Sequence, residues 1–190
     1  MKHSALARGI VLVGVLALGY FPISSAKADD SAANPKYSAW AKFKPGSFST
    51  VEADMDVQGN KFHITMTRTL VSIDDDKAVV ETRSTVNLMG QDHDSPVRTN
   101  TIQAKGDAET YKQTGEKEVQ AMDKTFKCKV YEAKGNPGAK PDKTGPAGDV
   151  DNMKATVYIS EIVPGGLVRL EGVGRTGKGL TFILTAMESK

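Results

Sequence analysis

Residues 47–89, SFSTVEADMDVQGNKFHITMTRTLVSIDDDKAVVETRSTVNLM, are the stretch whose reading decides the fold. Val51, Ala53, Met55 and Val57 alternate with Thr50, Glu52, Asp54 and Asp56, the period of a strand with one face buried and one face wet. Gly59-Asn60 follows as a two-residue turn, because glycine accepts the positive φ that a tight hairpin demands. Phe62, Ile64 and Met66 resume the alternation. Asp74-Asp75-Asp76 makes a second turn, and Ala78, Val80, Val86 and Leu88 share one face of a third strand. The pattern predicts an antiparallel meander, apolar inside and polar outside.

Upstream, Asn34-Pro35 reads as an N-cap and first-turn proline, and Tyr37, Trp40 and Ala41 sit at helical spacing. Pro45-Gly46 ends this helix after about ten residues, a length that packing must hold in place, with Trp40 as its anchor. Downstream come a loop at Gly90–Pro96, a strand at Val97–Lys105 and a polar stretch without clear pattern at Gly106–Glu116. Glu118–Met122 and Thr125–Tyr131 then form a hairpin around Asp123-Lys124, with Phe126, Cys128 and Val130 on one side. Residues 135–152 hold four Gly, three Pro and a single large apolar residue, Val150. Such a segment has too little to bury and reads as a mobile loop. Lys154–Ser160, the turn Pro164-Gly165-Gly166, Leu167–Val173 and Leu180–Met187 complete the β-structure.

The first 28 residues read as an export signal. Lys2 and Arg8 precede an apolar run of 14 residues, Ile10–Ile23, and Ala26-Lys27-Ala28 fits a small-x-small cleavage site. That run, broken by Pro22, is too short for a bilayer core of about 30 Å. An uncleaved N-terminal anchor is the alternative. Cleavage after Ala28 leaves a flexible start at 29–33 and one β-rich domain at 34–190, periplasmic or secreted, with no stable membrane span. The chain has 25 basic and 23 acidic residues, and losing Lys2, Arg8 and Lys27 leaves 22 against 23. A balance this even offers no global electrostatic reason to expect nucleic acid or anionic lipid headgroups as partners. Cys128 is the only cysteine, so neither a disulfide framework nor a lipidation site follows the signal.

Several local motifs imitate chemistry. Gly172-Val173-Gly174-Arg175-Thr176-Gly177-Lys178-Gly179 matches both the dinucleotide fingerprint and most of a phosphate-binding loop. Both need a helix after the glycines, whereas Leu180, Phe182 and Leu184 alternate as a strand; the segment reads as a hairpin turn. Asp74-Asp75-Asp76 lacks the spacing of a calcium loop. Asp92-His93-Asp94 are adjacent residues that seldom converge on one ion, and His63 lies on a distant strand facing solvent. No G-x-S-x-G nucleophile elbow occurs, and Cys128 alternates with apolar neighbours as a buried thiol does. The six methionines outside the signal, Met55, Met66, Met89, Met122, Met153 and Met187, suit either ordinary gap-filling or an adaptable pocket. The expectation is a protein that is not an enzyme and needs no metal or cofactor.

About eight strands at roughly 4.8 Å spacing make a sheet about 38 Å wide, and a helix of about 15 Å cannot cover its apolar face. An exposed apolar face of that size is unstable in water. The predicted fold is therefore mainly β, an antiparallel meander of about eight strands curled into a half-barrel or barrel with one short N-terminal helix. A folded-over sandwich is the alternative. The apolar area left uncovered becomes a groove, lined by Trp40, Phe62, Met66 and Phe182, with the 135–152 loop near its entrance.

Tyr158-Ile159-Ser160-Glu161-Ile162-Val163-Pro164-Gly165-Gly166-Leu167-Val168 and Trp40-x-x-Phe43-x-x-Gly46-Ser47 resemble a group of small exported bacterial proteins of unknown function carrying this Pro-Gly-Gly turn. Gly115-Glu116-x-Glu118-x-Gln120 before Phe126-x-Cys128 is similar too, so the resemblance spans about 35–187. Those proteins are in turn similar, at the level of fold, to the periplasmic lipoprotein carrier and receptor, whose curved sheet and helical lid hold acyl chains. The resemblance implies a half-barrel and a lipid-like or other hydrophobic ligand. It carries over no functional residue, and the carriers use more helices than the one predicted here. A structural or protein-interaction module of the envelope is the alternative function.

Overall fold

The computed structural model describes residues 34–57, 60–105, 112–134, 154–173 and 179–190. The export signal at 1–28, the start at 29–33, Gly59 of the first turn, the 135–152 loop and residues 174–178 of the glycine-rich turn lie outside them. One helix, α1 (Pro35–Ser38), precedes the strands β1 (Phe48–Val57), β2 (Asn60–Ile73), β3 (Lys77–Leu88), β4 (Gln91–Asp94) and β5 (Arg98–Gln103). β6 (Lys112–Ala121), β7 (Lys124–Lys134), β8 (Lys154–Ile159), β9 (Leu167–Val173) and β10 (Gly179–Glu188) follow. The order across the sheet is β4-β3-β2-β1-β10-β9-β8-β7-β6, with β5 also paired to β3. Every pairing is antiparallel. The two ends of this order do not pair, so the sheet is open.

The meander at 47–89 forms as its alternation predicts. Inner positions Val51, Ala53, Ile64, Met66, Ala78, Val80 and Val86 are buried. The second turn is fixed by Asp74, whose Oδ1 accepts the N–H groups of Asp76 and Lys77 at 3.0 and 2.9 Å. Elsewhere the expectations need correcting. Among the described residues there are ten strands, not about eight. The sequence reads Gly90–Pro96 as a loop, whereas Gln91–Asp94 within it is a strand, exposed throughout. It is a strand because Met89 and Gly90, with φ of 53° and 85°, make the reversal that returns it along β3. β6 likewise reaches back to Lys112, through a segment whose buried residues are confined to Val119 and Ala121. Its turn falls at Met122-Asp123, one residue earlier than expected, and Lys124 already pairs with Ala121.

The helix is four residues long, not about ten. Asn34 caps it, Oδ1 accepting from the Lys36 N–H at 3.0 Å. Beyond Ser38 the chain tightens into short turns, with Trp40 N–H on the Tyr37 carbonyl and Phe43 N–H on the Trp40 carbonyl. The physical reason is competition. The Ala39 carbonyl, which a longer helix would give to Phe43, accepts instead from Gly165 N–H at 3.0 Å. Gly165 has φ 71°, and a Cβ there would lie 2.5 Å from Cζ2 of Trp40. The Pro-Gly-Gly turn is thus shaped to seat the indole (2 % exposed).

The buried layer changes face across the sheet. Register places Val51, Leu184, Phe182, Leu170 and Val157 on the face that carries Ile64 and Met66. On β7 and β6 the buried residues are Phe126, Cys128 and Val119. These align instead with Tyr158, on the opposite side of β8 from Val157. Val157 and Tyr158 are both buried, so β8 is covered on both sides. Cα atoms of β6 come within 8 Å of β9 and β10, although three and four inter-strand steps in a flat sheet span about 14 and 19 Å. This end of the sheet is therefore strongly bent.

Candidate functional site

The inner face of β1, β2, β3 and β10 is built in cross-strand rows. Phe62 pairs with Leu88 and Met55, Ile64 with Val86 and Ala53, and Met66 with Ser84 and Val51. These apolar rows belong to one large cluster that also contains Phe182, Leu184 and Leu180. Met55 and Leu88 are only partly buried, so the rows run from a half-open rim inward to Met66 and Val51. At the other end of the same strands, Leu70, Ala78 and Val80 form a separate cluster with Trp40, against which Tyr37, Phe43, Ile73 and Ile102 pack.

Between the two clusters lies a polar row. Arg68 pairs with Ser49 on one side and Thr82 on the other, and Thr82 pairs with Arg98 on β5. Ser84 stands one row nearer the rim, and its carbonyl accepts from the N–H of Ser95 at 2.8 Å. Ser49 is 1 % exposed and Thr82 is 9 % exposed. The hydroxyls of Ser49 and Ser95 are buried without a hydrogen-bond partner among the described residues. A buried hydroxyl left unpaired is costly. A row rich in donors crossing an otherwise apolar face is therefore the least conventional feature of the molecule.

Of the four residues expected to line a groove, Phe62, Met66 and Phe182 lie together in the large cluster. Trp40 lies apart from them, in the smaller cluster beyond the polar row. Ser49, Arg68, Thr82, Ser84, Ser95 and Arg98 were not singled out from the sequence. One signal was available: Phe62-x-Ile64-x-Met66-x-Arg68-x-Leu70 keeps inward parity through an arginine.

Other chemistry-bearing residues are engaged locally. His63 faces outward, its Nδ1 2.9 Å from Asp54 Oδ1 and its Nε2 3.7 Å from Glu52. Asp94 accepts from Thr85 Oγ1 at 2.7 Å and Asp92 from Asn87 Nδ2 at 2.6 Å, binding the β3–β4 hairpin together. Among the described residues no group of three or more His, Cys, Asp or Glu side chains converges. Cys128 is buried, and desolvation pushes its thiol up to about 11, away from the thiolate form that nucleophilic chemistry requires. On the other face, Tyr158 Oη donates to Glu171 at 2.9 Å and Arg169 pairs with Glu171 at 2.7 Å. Burial, then the Glu171 hydrogen bond, raise the Tyr158 phenol. Lys117 Nζ sits 5.8 Å over the Tyr158 ring. No helix among the described residues is long and apolar enough to cross a membrane. No protein-family model matches the chain, and the search of curated proteins finds no match either.

Proposed function

We propose that the protein is an exported, non-catalytic binding domain that receives a lipid-like hydrophobic ligand on a curled, half-barrel face of its sheet. The face runs along β10, β1, β2 and β3. The single observation that carries this reading is the graded apolar row system from the partly exposed Met55 and Leu88 to the buried Met66, Val51 and Phe182. Among the described residues, ten strands and one four-residue helix leave that face without helical cover. Met55, Met122 and Met187 pack against the large cluster while only partly buried. Methionine's three rotatable bonds let such side chains move aside for an acyl chain at low cost. The resemblance read from the sequence implies the same class of ligand, by analogy alone.

Native mass spectrometry of protein purified without detergent tests this directly. The expected result is a mass increment of a few hundred daltons that organic extraction removes. Repeated preparations without an increment, together with no uptake of a long-chain probe by extracted protein, would sink the proposal.

A further inference from the structure

Resting on that binding reading, we infer that the β6–β7 hairpin is a lid: its tip, residues 117–128, covers the apolar face in the free protein and lifts to admit the ligand. The ladders set where the tip begins. β7 is bonded to β8 only from Lys129, paired with Ile159, to Lys134, paired with Lys154. Residues 124–128 and the β6 residues opposite them therefore overhang the sheet, paired among the described strands with one another alone. The five residues 124–128 reach about 17 Å. Bending lays this overhang back over the sheet, so that β6 comes within 8 Å of β9 and β10, strands with which it forms no ladder.

What holds the tip down is apolar. Val119, Ala121, Phe126 and Cys128 are buried in one cluster with Phe62, Met66 and Phe182, and Met122 packs against it partly buried. The hydrogen bonds of the tip stay inside it: Gln120 Nε2 donates to Thr125 Oγ1 at 3.0 Å, and the Cys128 thiol donates to the Phe126 carbonyl at 3.6 Å. Among the described residues, only Lys117 carries a polar contact out of the tip, its Nζ 5.8 Å over the Tyr158 ring. Lifting the tip gives up burial but no backbone hydrogen bond, so it opens more readily than the ladder-bound strands. An acyl chain laid on the uncovered rows restores the apolar cover that the tip gives up. The hairpin itself fills the face between ligands, and the site needs no standing cavity.

Cys128 reports the opening, because it is the only cysteine and is buried in the tip. Trp40, the only tryptophan, lies in the separate cluster and reports global unfolding. In protein stripped of lipid by organic extraction, a thiol reagent should modify Cys128 at least about tenfold faster than unfolding followed at Trp40 allows, with little response to low urea. Modification that tracks the Trp40 transition at every urea concentration would overturn the lid. Phe126→Ala should speed modification at least about tenfold and tighten binding of hexadecyl phosphate by the same factor, since both read the open fraction. Unchanged or weaker binding would overturn the gating role and leave the binding face standing. Failure of the unmodified protein and the variant alike to bind this probe would overturn the binding reading and the lid with it. Val119→Ala, a smaller truncation in the same tip, takes the place of Phe126→Ala if that variant does not fold.

Discussion

Gly165 shows how much of this fold hangs on one backbone position. Its φ of 71° and the indole 2.5 Å from where a Cβ would stand leave room for no other residue. Gly165→Ala combines left-handed strain with overpacking against Trp40, and the expected loss is about 2–4 kcal/mol. Thermal or urea unfolding would register it. A loss below about 0.5 kcal/mol would mean that the indole is not held by this turn. The sequence made the turn legible as Pro-Gly-Gly but not its purpose, because the partner of Gly165 lies more than a hundred residues away in Trp40. Arg68 was hidden for a different reason. Inward parity was visible in Phe62, Ile64 and Met66, but arginine is ordinarily a surface residue, and only the pairing with Ser49 and Thr82 reveals a row.

Among the elements, the loop after β8 ties the N-terminal turns to the sheet through Glu161. Its carboxylate accepts from Lys42 at 2.7 Å and from Lys129 at 2.9 Å. Those two hydrogen bonds, Lys42's first, hold the Glu161 carboxyl down at about 2 against its ordinary 4.5. A depressed carboxyl contributes stability above its unfolded value and loses it as pH falls through the folded one. The Glu161 contribution is therefore complete above about 4.5 and fades as pH drops towards 2. Glu161→Gln should flatten the acid limb of a stability–pH curve in that window, and salt should shrink the difference because the pair is exposed. Parallel curves for the two proteins between those pH values would contradict the assignment. Element types were legible wherever alternation was strong, as in β1, β2, β3 and β10. They were obscured in β4 and β6, whose residues are exposed at nearly every position. There the ladder, not burial, makes the strand.

At the scale of the whole molecule, the inference from sheet width anticipated an antiparallel β-layer with little helix but left half-barrel, closed barrel and sandwich undecided, and the described strands form an open sheet. It did not anticipate that the buried layer passes from one side of β8 to the other. Such a crossing depends on pairing register between distant segments, which a one-dimensional alternation does not encode. The β6–β7 hairpin nonetheless brings Val119, Phe126 and Cys128 into the same apolar cluster as Phe62, Met66 and Phe182.

The most direct measurement is methyl NMR of the methionines while extracted protein is titrated with hexadecyl phosphate. Saturable shifts at Met66 and Met55, with Met89 (76 % exposed, on the β3–β4 turn) unmoved, are the result expected of an acyl chain lying along the inner rows. Silent Met66 and Met55 resonances throughout the titration, or changes restricted to Met89, would show that the inner rows are merely a packed core.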